Sequence, residues 1–151
     1  MGKIAAQHQG FAALCRDVLV IGKVAETGSK VTKFRKGERV GIAWIHSACG
    51  ACKFCIEGNE NLCADFEATG RDVHGGYAEF TTVGEDFAYR VPEEFTDFEA
   101  APLLCAGTIG YRSLRLTDMK DGETLALVGF GASAHLVIQM AQYRYPNSKI
   151  F

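Results

Sequence analysis

Four cysteines fall within fifteen residues: Cys49, Cys52, Cys55 and Cys63, in the spacing C-x2-C-x2-C-x7-C. Four thiolates so close in sequence match the tetrahedral sulfur set that zinc prefers, and an all-cysteine set leaves no open position for chemistry. The spacing therefore predicts a structural zinc that staples a loop with little apolar content of its own. Two other readings compete with it. One is a pair of disulfides in a secreted domain. The other is a redox C-x-x-C pair. Residues 1–48 do not read as a secretory leader, so disulfides are not the expectation, and two overlapping C-x-x-C pairs do not read as a single redox motif.

Composition removes further classes. The net charge is −2, which offers no basic surface to nucleic acid and argues against a nucleic-acid-binding zinc ribbon. No apolar run approaches the length of a membrane span. The cysteines are clustered rather than spread as a disulfide framework, so a reducing cytoplasm is the expected home. With 48% hydrophobic and 23% charged residues, the 151-residue chain has the material for an ordinary core.

The pattern along the chain is mainly β, then α/β. Residues 1–17 carry no firm period and stay unassigned. Strands are predicted over Asp17–Val24, Val31–Phe34 and Val40–Ile45, with turns at Glu26–Gly28 and Lys36–Glu38. Short strands with glycine turns predict a β-barrel or sandwich, which the cysteine loop interrupts as an insertion. Strands resume at Tyr77–Val83 and Phe87–Val91 and stop at Pro92. Helices follow. One is capped by Asp97 and carries Phe98, Ala100, Ala101 and Leu104; the second, Gly107–Leu116, puts Ile109, Tyr111 and Leu114 on one face.

After the turn at Asp121–Gly122 come a strand, Thr124–Val128, a glycine turn, Gly129–Ala134, and an apolar helix with Leu136, Val137, Met140 and Ala141. Pro146–Asn147 ends the helix, and Lys149–Phe151 begins another strand. Strand, G-x-G-x-x-A turn and helix form the opening of a dinucleotide-binding unit. Gly129 permits the tight turn, Gly131 lets backbone approach a pyrophosphate at the helix N-terminus, and Ala134 allows close helix–strand packing. The strand Leu125–Val128 is apolar on both faces and expects cover from both sides. A second domain cut short is the expectation.

Three motifs now stand in order: the four-cysteine loop, the stretch Ala100–Ala101–Pro102–Leu103–Leu104–Cys105–Ala106–Gly107, and the Gly129–Ala134 turn. With Gly22–Val24, Phe34–Gly41 and Gly75–Glu79, they closely resemble the zinc-dependent medium-chain alcohol dehydrogenases over roughly residues 22–151. The resemblance implies an α/β chain. A GroES-like β-barrel catalytic domain would occupy residues 18–116, and the beginning of a Rossmann domain residues 117–151. It implies hydride transfer between a small alcohol or aldehyde and NAD or NADP, with family members usually homo-oligomers. It also implies a second, catalytic zinc held by two cysteines and a histidine, of which Cys105 matches the third ligand.

The departures from the family pattern lie near the start. The family places a Cys-x-x-Asp-x-His segment and then a Gly-His-Glu segment just before the stretch matching Gly22. Here Val18–Leu19–Val20–Ile21 holds that place. Cys15 stands too close to Gly22 to match the first motif, and His8 reads as a tail residue. Ile109, with Thr108 beside it, stands where the family often has threonine. His46 reads either as lining the cleft or as a loop residue, His74 as a surface turn residue, and His135 as part of the first helical turn. The expectation is a complete structural zinc site, an incomplete catalytic one, and negligible turnover by this chain alone.

Overall fold

The structure, a computed structural model, describes residues 2–8 and 20–151. It divides into two compact units, Met1–Leu104 and Cys105–Phe151. The strands are β1 (Lys3–His8), β2 (Val20–Thr27), β3 (Arg39–Ile42), β4 (Ile45–Ser47), β5 (Glu67–Ala68), β6 (Phe80–Gly84), β7 (Ala88–Arg90), β8 (Thr124–Leu125) and β9 (Lys149–Ile150). The helices are α1 (Lys53–Ile56), α2 (Asp97–Pro102), α3 (Thr108–Leu116) and α4 (Ala132–Arg144).

The first unit is built on an antiparallel sheet in the order β6-β1-β2-β3-β7. Its central strand β2 puts apolar residues on both faces, and both sets are buried. Val20 and Val24 join Ile4, Ala6, Val40, Ile42 and Val83 in one core. Ile21, on the opposite face, packs with Val91 and with Ala100 and Ala101 of α2. Burying each such aliphatic side chain is worth about 1.5–3 kcal/mol, so the Val-Ile run is placed by demand from two sides.

Several sequence expectations are corrected here. Lys3–His8, within the stretch left unassigned, is a strand between β6 and β2; Ile4 faces both Thr27 and Val83. Its apolar positions, Ile4 and Ala6, alternate correctly, but six residues ending in Gln-His gave too short a period to read. His8 is the last residue of β1, opposite Gly22, and not a tail. Residues 31–34 form no strand. The amides of Thr32 and Lys33 donate instead to the Glu85 carboxylate, at 2.9 and 2.7 Å. Strand β2 runs on to Thr27, past the predicted end at Val24, while Asp17–Leu19 lie outside the described residues. The run Val40–Ile45 divides between β3 and β4, and β6 starts at Phe80 rather than Tyr77. Phe87 closes a 3-10 turn, Glu85–Phe87, before β7.

Helix α2 is capped by Thr96, not Asp97. The Thr96 hydroxyl accepts from the Glu99 amide at 3.3 Å, and the Glu99 carboxylate accepts from the Thr96 amide at 2.9 Å. This reciprocal pair satisfies two donors that the first turn leaves open. A widened π-helical turn, Leu103–Gly107, links α2 to α3. It follows Pro102, which has no N–H to give the ladder.

In the second unit, β8 and β9 pair in parallel, Thr124 with Lys149 and Leu125 with Ile150. The strand expected to reach Val128 ends at Leu125, and Val128 is fully exposed. Leu114, Met119, Leu125, Val137 and Ala141 form the core. Ile109 and Tyr111, expected beside Leu114, are exposed. Glycine is required at 110 by close approach: a Cβ there would lie 2.7 Å from Val137 Cγ2 of α4. Among the described residues no helix is long and apolar enough to cross a membrane.

Candidate metal centre and cofactor turn

The cysteine loop is the connection between β4 and β5, which pair antiparallel. At its base Trp44 and Phe66 meet edge to face, with ring centres 5.3 Å apart. The Arg71 guanidinium lies over both rings, 4.8 Å from Phe66 and 5.7 Å from Trp44. Asp72 holds that guanidinium through Nε at 2.9 Å. Thr69, buried beside them, donates its hydroxyl to the Ala43 carbonyl at 3.1 Å. The aromatic clamp escaped sequence reasoning. Its only local signal is an aromatic residue just outside each end of the cysteine run.

Within the loop, backbone turns aim the sulfurs. Gly50 adopts φ +72°, a conformation that favours glycine, and reverses the chain after Cys49. Cys52 precedes the single turn α1, Cys55 lies in it, and Cys63 follows the 3-10 turn Glu60–Leu62. The amide of Cys52 points at the Cys49 sulfur, 3.4 Å away. All four sulfurs lie within 4.8 Å of one another. Cys49 Sγ is 3.9 Å from Cys55 Sγ, and Cys52 Sγ is 3.6 Å from it. Tetrahedral zinc with bonds of about 2.3 Å sets its sulfurs about 3.8 Å apart. The donor set and spacing fit that ion.

The electrostatics point the same way. Backbone N–H groups of Ala51 and Cys52 pull the Cys49 thiol down to about 6. Desolvation pushes the Cys55 thiol up to about 12, and the neighbouring sulfurs add to the rise. Crowded thiols resist losing their last protons unless a cation stands among them.

The other residues singled out in the sequence are placed as follows. Cys105 is half-buried on the widened turn and belongs to the second unit. Gly129 has φ +87°, and Gly131 is the N-cap of α4. A Cβ built at either glycine would meet nothing within 4 Å, so both face open space where a ligand's phosphates have room. Ala134 is half-buried in the first turn of α4. His135 is exposed there, its ring edge-on to Phe130 at 6.0 Å. His46 lies on β4 rather than in a loop; burial lowers its pKa from the ordinary histidine range, partly opposed by the Glu67 carboxylate. His74 is exposed in a turn region, as expected. Thr108 and Ile109 are exposed at the start of α3. Cys15 lies outside the described residues.

The family described as alcohol dehydrogenase GroES-like domain matches residues 8–93. A probable alcohol dehydrogenase, AdhA, of Mycobacterium tuberculosis is 53% identical over 127 residues, covering 81% of this chain and 37% of that protein. An alcohol dehydrogenase of Geobacillus stearothermophilus is 40% identical over 122 residues, covering 81% and 36%. The chain thus spans little more than a third of the length of these relatives. Among solved structures, a cinnamyl alcohol dehydrogenase from Sorghum bicolor superposes with TM-score 0.79 at 33% identity, over 87% of this chain and 39% of that one. The CAD of Helicobacter pylori, in complex with NADP(H), shares the fold with TM-score 0.83 at 22% identity, over 98% of this chain and 50% of that one. The expected GroES-like β unit followed by a β-α unit is the fold of this chain. It belongs to the zinc-type medium-chain alcohol dehydrogenase family.

Proposed function

We propose that this chain carries the structural-zinc lobe, one catalytic-zinc ligand and the first cofactor-binding turn of an NAD(P)-linked alcohol dehydrogenase-like oxidoreductase. The observation that carries the reading is the convergence of the Cys49, Cys52, Cys55 and Cys63 sulfurs within 4.8 Å on the β4–β5 loop. The lobe is structural, because four protein thiolates leave no position for a substrate. Residues 18–116 serve as the catalytic domain and 117–151 as the start of a Rossmann domain. Cys105 is the residue suited to a second, catalytic zinc. Such an ion with an open position lowers the pKa of a bound hydroxyl. Gly129 and Gly131 keep side chains away from a pyrophosphate, and Ala134 lets the helix pack close against the strand. The substrate class is a small alcohol or aldehyde, and the setting a reducing one such as the cytoplasm.

A second reading is favoured by one observation. Val20 and Ile21 are buried in β2, where the family pattern has Gly-His-Glu. Aliphatic core positions supply no metal ligand, so the 151-residue chain alone would bind structural zinc without turning over alcohol. One measurement checks what the readings share and a second separates them. Metal analysis of purified chain should give one zinc under both. NAD(P)H formation with primary and secondary alcohols, zinc added, should be negligible under the second. Turnover of about 1 per second or faster, abolished by Cys105→Ser, would establish the first reading for this chain itself.

A further inference from the structure

The four sulfurs of the cysteine loop are unequal in a way that zinc coordination alone does not require. Cys49 is exposed, Cys52 and Cys55 are half-buried, and Cys63 is 3% exposed. We propose that the loop is a peroxide-responsive site, in which Cys49 takes the first oxidation, Cys55 closes a disulfide onto it, and the zinc is released. The inference rests on the structural-zinc reading above and adds a modification chemistry to it.

Zinc has no redox chemistry of its own, but it holds its ligands as thiolates, the form that peroxides oxidise. Which thiolate reacts first is then a matter of access. Cys49 sits at the open edge of the loop, ahead of the α1 turn. Cys63 lies on the inner side, after the Glu60–Leu62 turn. Cys55 is a partner within reach, and the backbone beside Cys49 is free to move. Cys55 Sγ stands 3.9 Å from Cys49 Sγ. A disulfide needs about 2.05 Å, so the sulfurs must close by about 1.9 Å. Gly50, directly after Cys49, sits where an added Cβ would meet nothing within 4 Å, so the chain beside the attacked sulfur has room to turn.

The chemistry balances without a further co-reactant. The Cys49 thiolate attacks one oxygen of hydrogen peroxide, the O–O bond breaks, and hydroxide leaves, which gives a sulfenic acid. The Cys55 thiolate attacks that sulfur, the S–O bond breaks, and a second hydroxide leaves. Two electrons pass from two thiolates to one peroxide, and solvent protons convert both hydroxides to water. Only Cys52 and Cys63 then remain as ligands, and two thiolates do not hold zinc against competing chelators. A dithiol reductant with added zinc reverses the sequence.

The test uses the full chain loaded with zinc. Zinc per chain is first measured without oxidant. Hydrogen peroxide is then added with a chromophoric zinc chelator present, and the cysteine pairing is mapped by peptide mass spectrometry after alkylation. Expected are one zinc at the start, release at least ~10-fold faster than without peroxide, a Cys49–Cys55 linkage as the first product, and recovery of zinc after dithiothreitol. A chain lacking zinc at the start overturns the structural-zinc reading and the switch with it. A chain that starts with one zinc and keeps it under peroxide overturns the switch alone. Release with Cys63 in the first disulfide, or with Cys49 driven to sulfinic acid and no disulfide, also overturns it.

Discussion

The Nε of Arg39, at the start of β3, donates to the Asp97 carboxylate at 3.0 Å, so the first turn of α2 is tied to that strand. The same guanidinium donates through Nη1 to the Pro92 carbonyl at 3.0 Å and the Phe95 carbonyl at 2.7 Å. One planar group thus anchors the whole 92–97 connection. Its geometry requires several donors in a fixed fork, which lysine does not have.

Arg39→Ala should destabilise the chain by about 2 kcal/mol, since hydrogen bonds to charged groups are worth about 1.5–3 kcal/mol and partial exposure discounts the pair. Arg39→Lys should recover less than half of the loss. Urea midpoints of the three proteins check this. Equal stability of the lysine variant and the parent would show that charge, not the fork, matters.

Removing one loop cysteine should remove the metal. Cys52→Ser is expected to bring zinc from one per chain to near zero and to lower the melting temperature, because structural zinc binding is worth ~10–16 kcal/mol in small peptides. Metal analysis and a melting curve read both effects. Retained zinc with an unchanged curve would argue against a structural role for these sulfurs.

The cap of α2 should make stability depend on acid. The Thr96 backbone amide, and then its hydroxyl, hold the Glu99 carboxyl below its ordinary value of 4.5. A carboxyl depressed in the folded state adds stability that is fully present above its unfolded pKa and is lost as pH falls through the folded value. Glu99→Gln should therefore cost stability at pH 7 and little at pH 3. Thr96→Ala should cost about 1 kcal/mol at pH 7. Parallel denaturation curves at the two pH values are the measurement; a Glu99→Gln loss that is the same at both would remove the charge argument.

Gly110→Val should destabilise the second unit by about 1–3 kcal/mol or more, the usual cost of forcing extra carbon into a filled contact. Even the first added carbon would lie 2.7 Å from Val137 Cγ2 and 3.4 Å from the Ser133 carbonyl. Pairing it with Val137→Ala should relieve much of the cost. Thermal melts of the single and double variants report the coupling, and strict additivity would place the strain elsewhere.

Features that depend on neighbours in sequence were legible from the chain. The C-x2-C-x2-C-x7-C spacing needs only short turns to bring four sulfurs together. The Gly129–Ala134 turn has Gly129 where the backbone takes a positive φ, with α4 directly after it. The Val- and Ile-rich stretch Val20–Val24 of β2, in which only Lys23 is charged and exposed, reads as a largely buried strand.

Tertiary structure decided whatever depends on a distant partner. Lys3–His8 became a strand because β2 and β6 present open ladders on either side of it. Residues 31–34 were withheld from the sheet because a carboxylate 53 residues away takes the Thr32 amide. Thr96 rather than Asp97 caps α2 through the local box with Glu99, while the Asp97 carboxylate is taken by Arg39, 58 residues distant. Trp44, Phe66 and Arg71 met only after β4 and β5 paired. Local spacing fixes which groups can gather; which backbone and side-chain groups find partners is set by long-range pairing, because a buried donor or charge must be satisfied wherever the fold offers an acceptor.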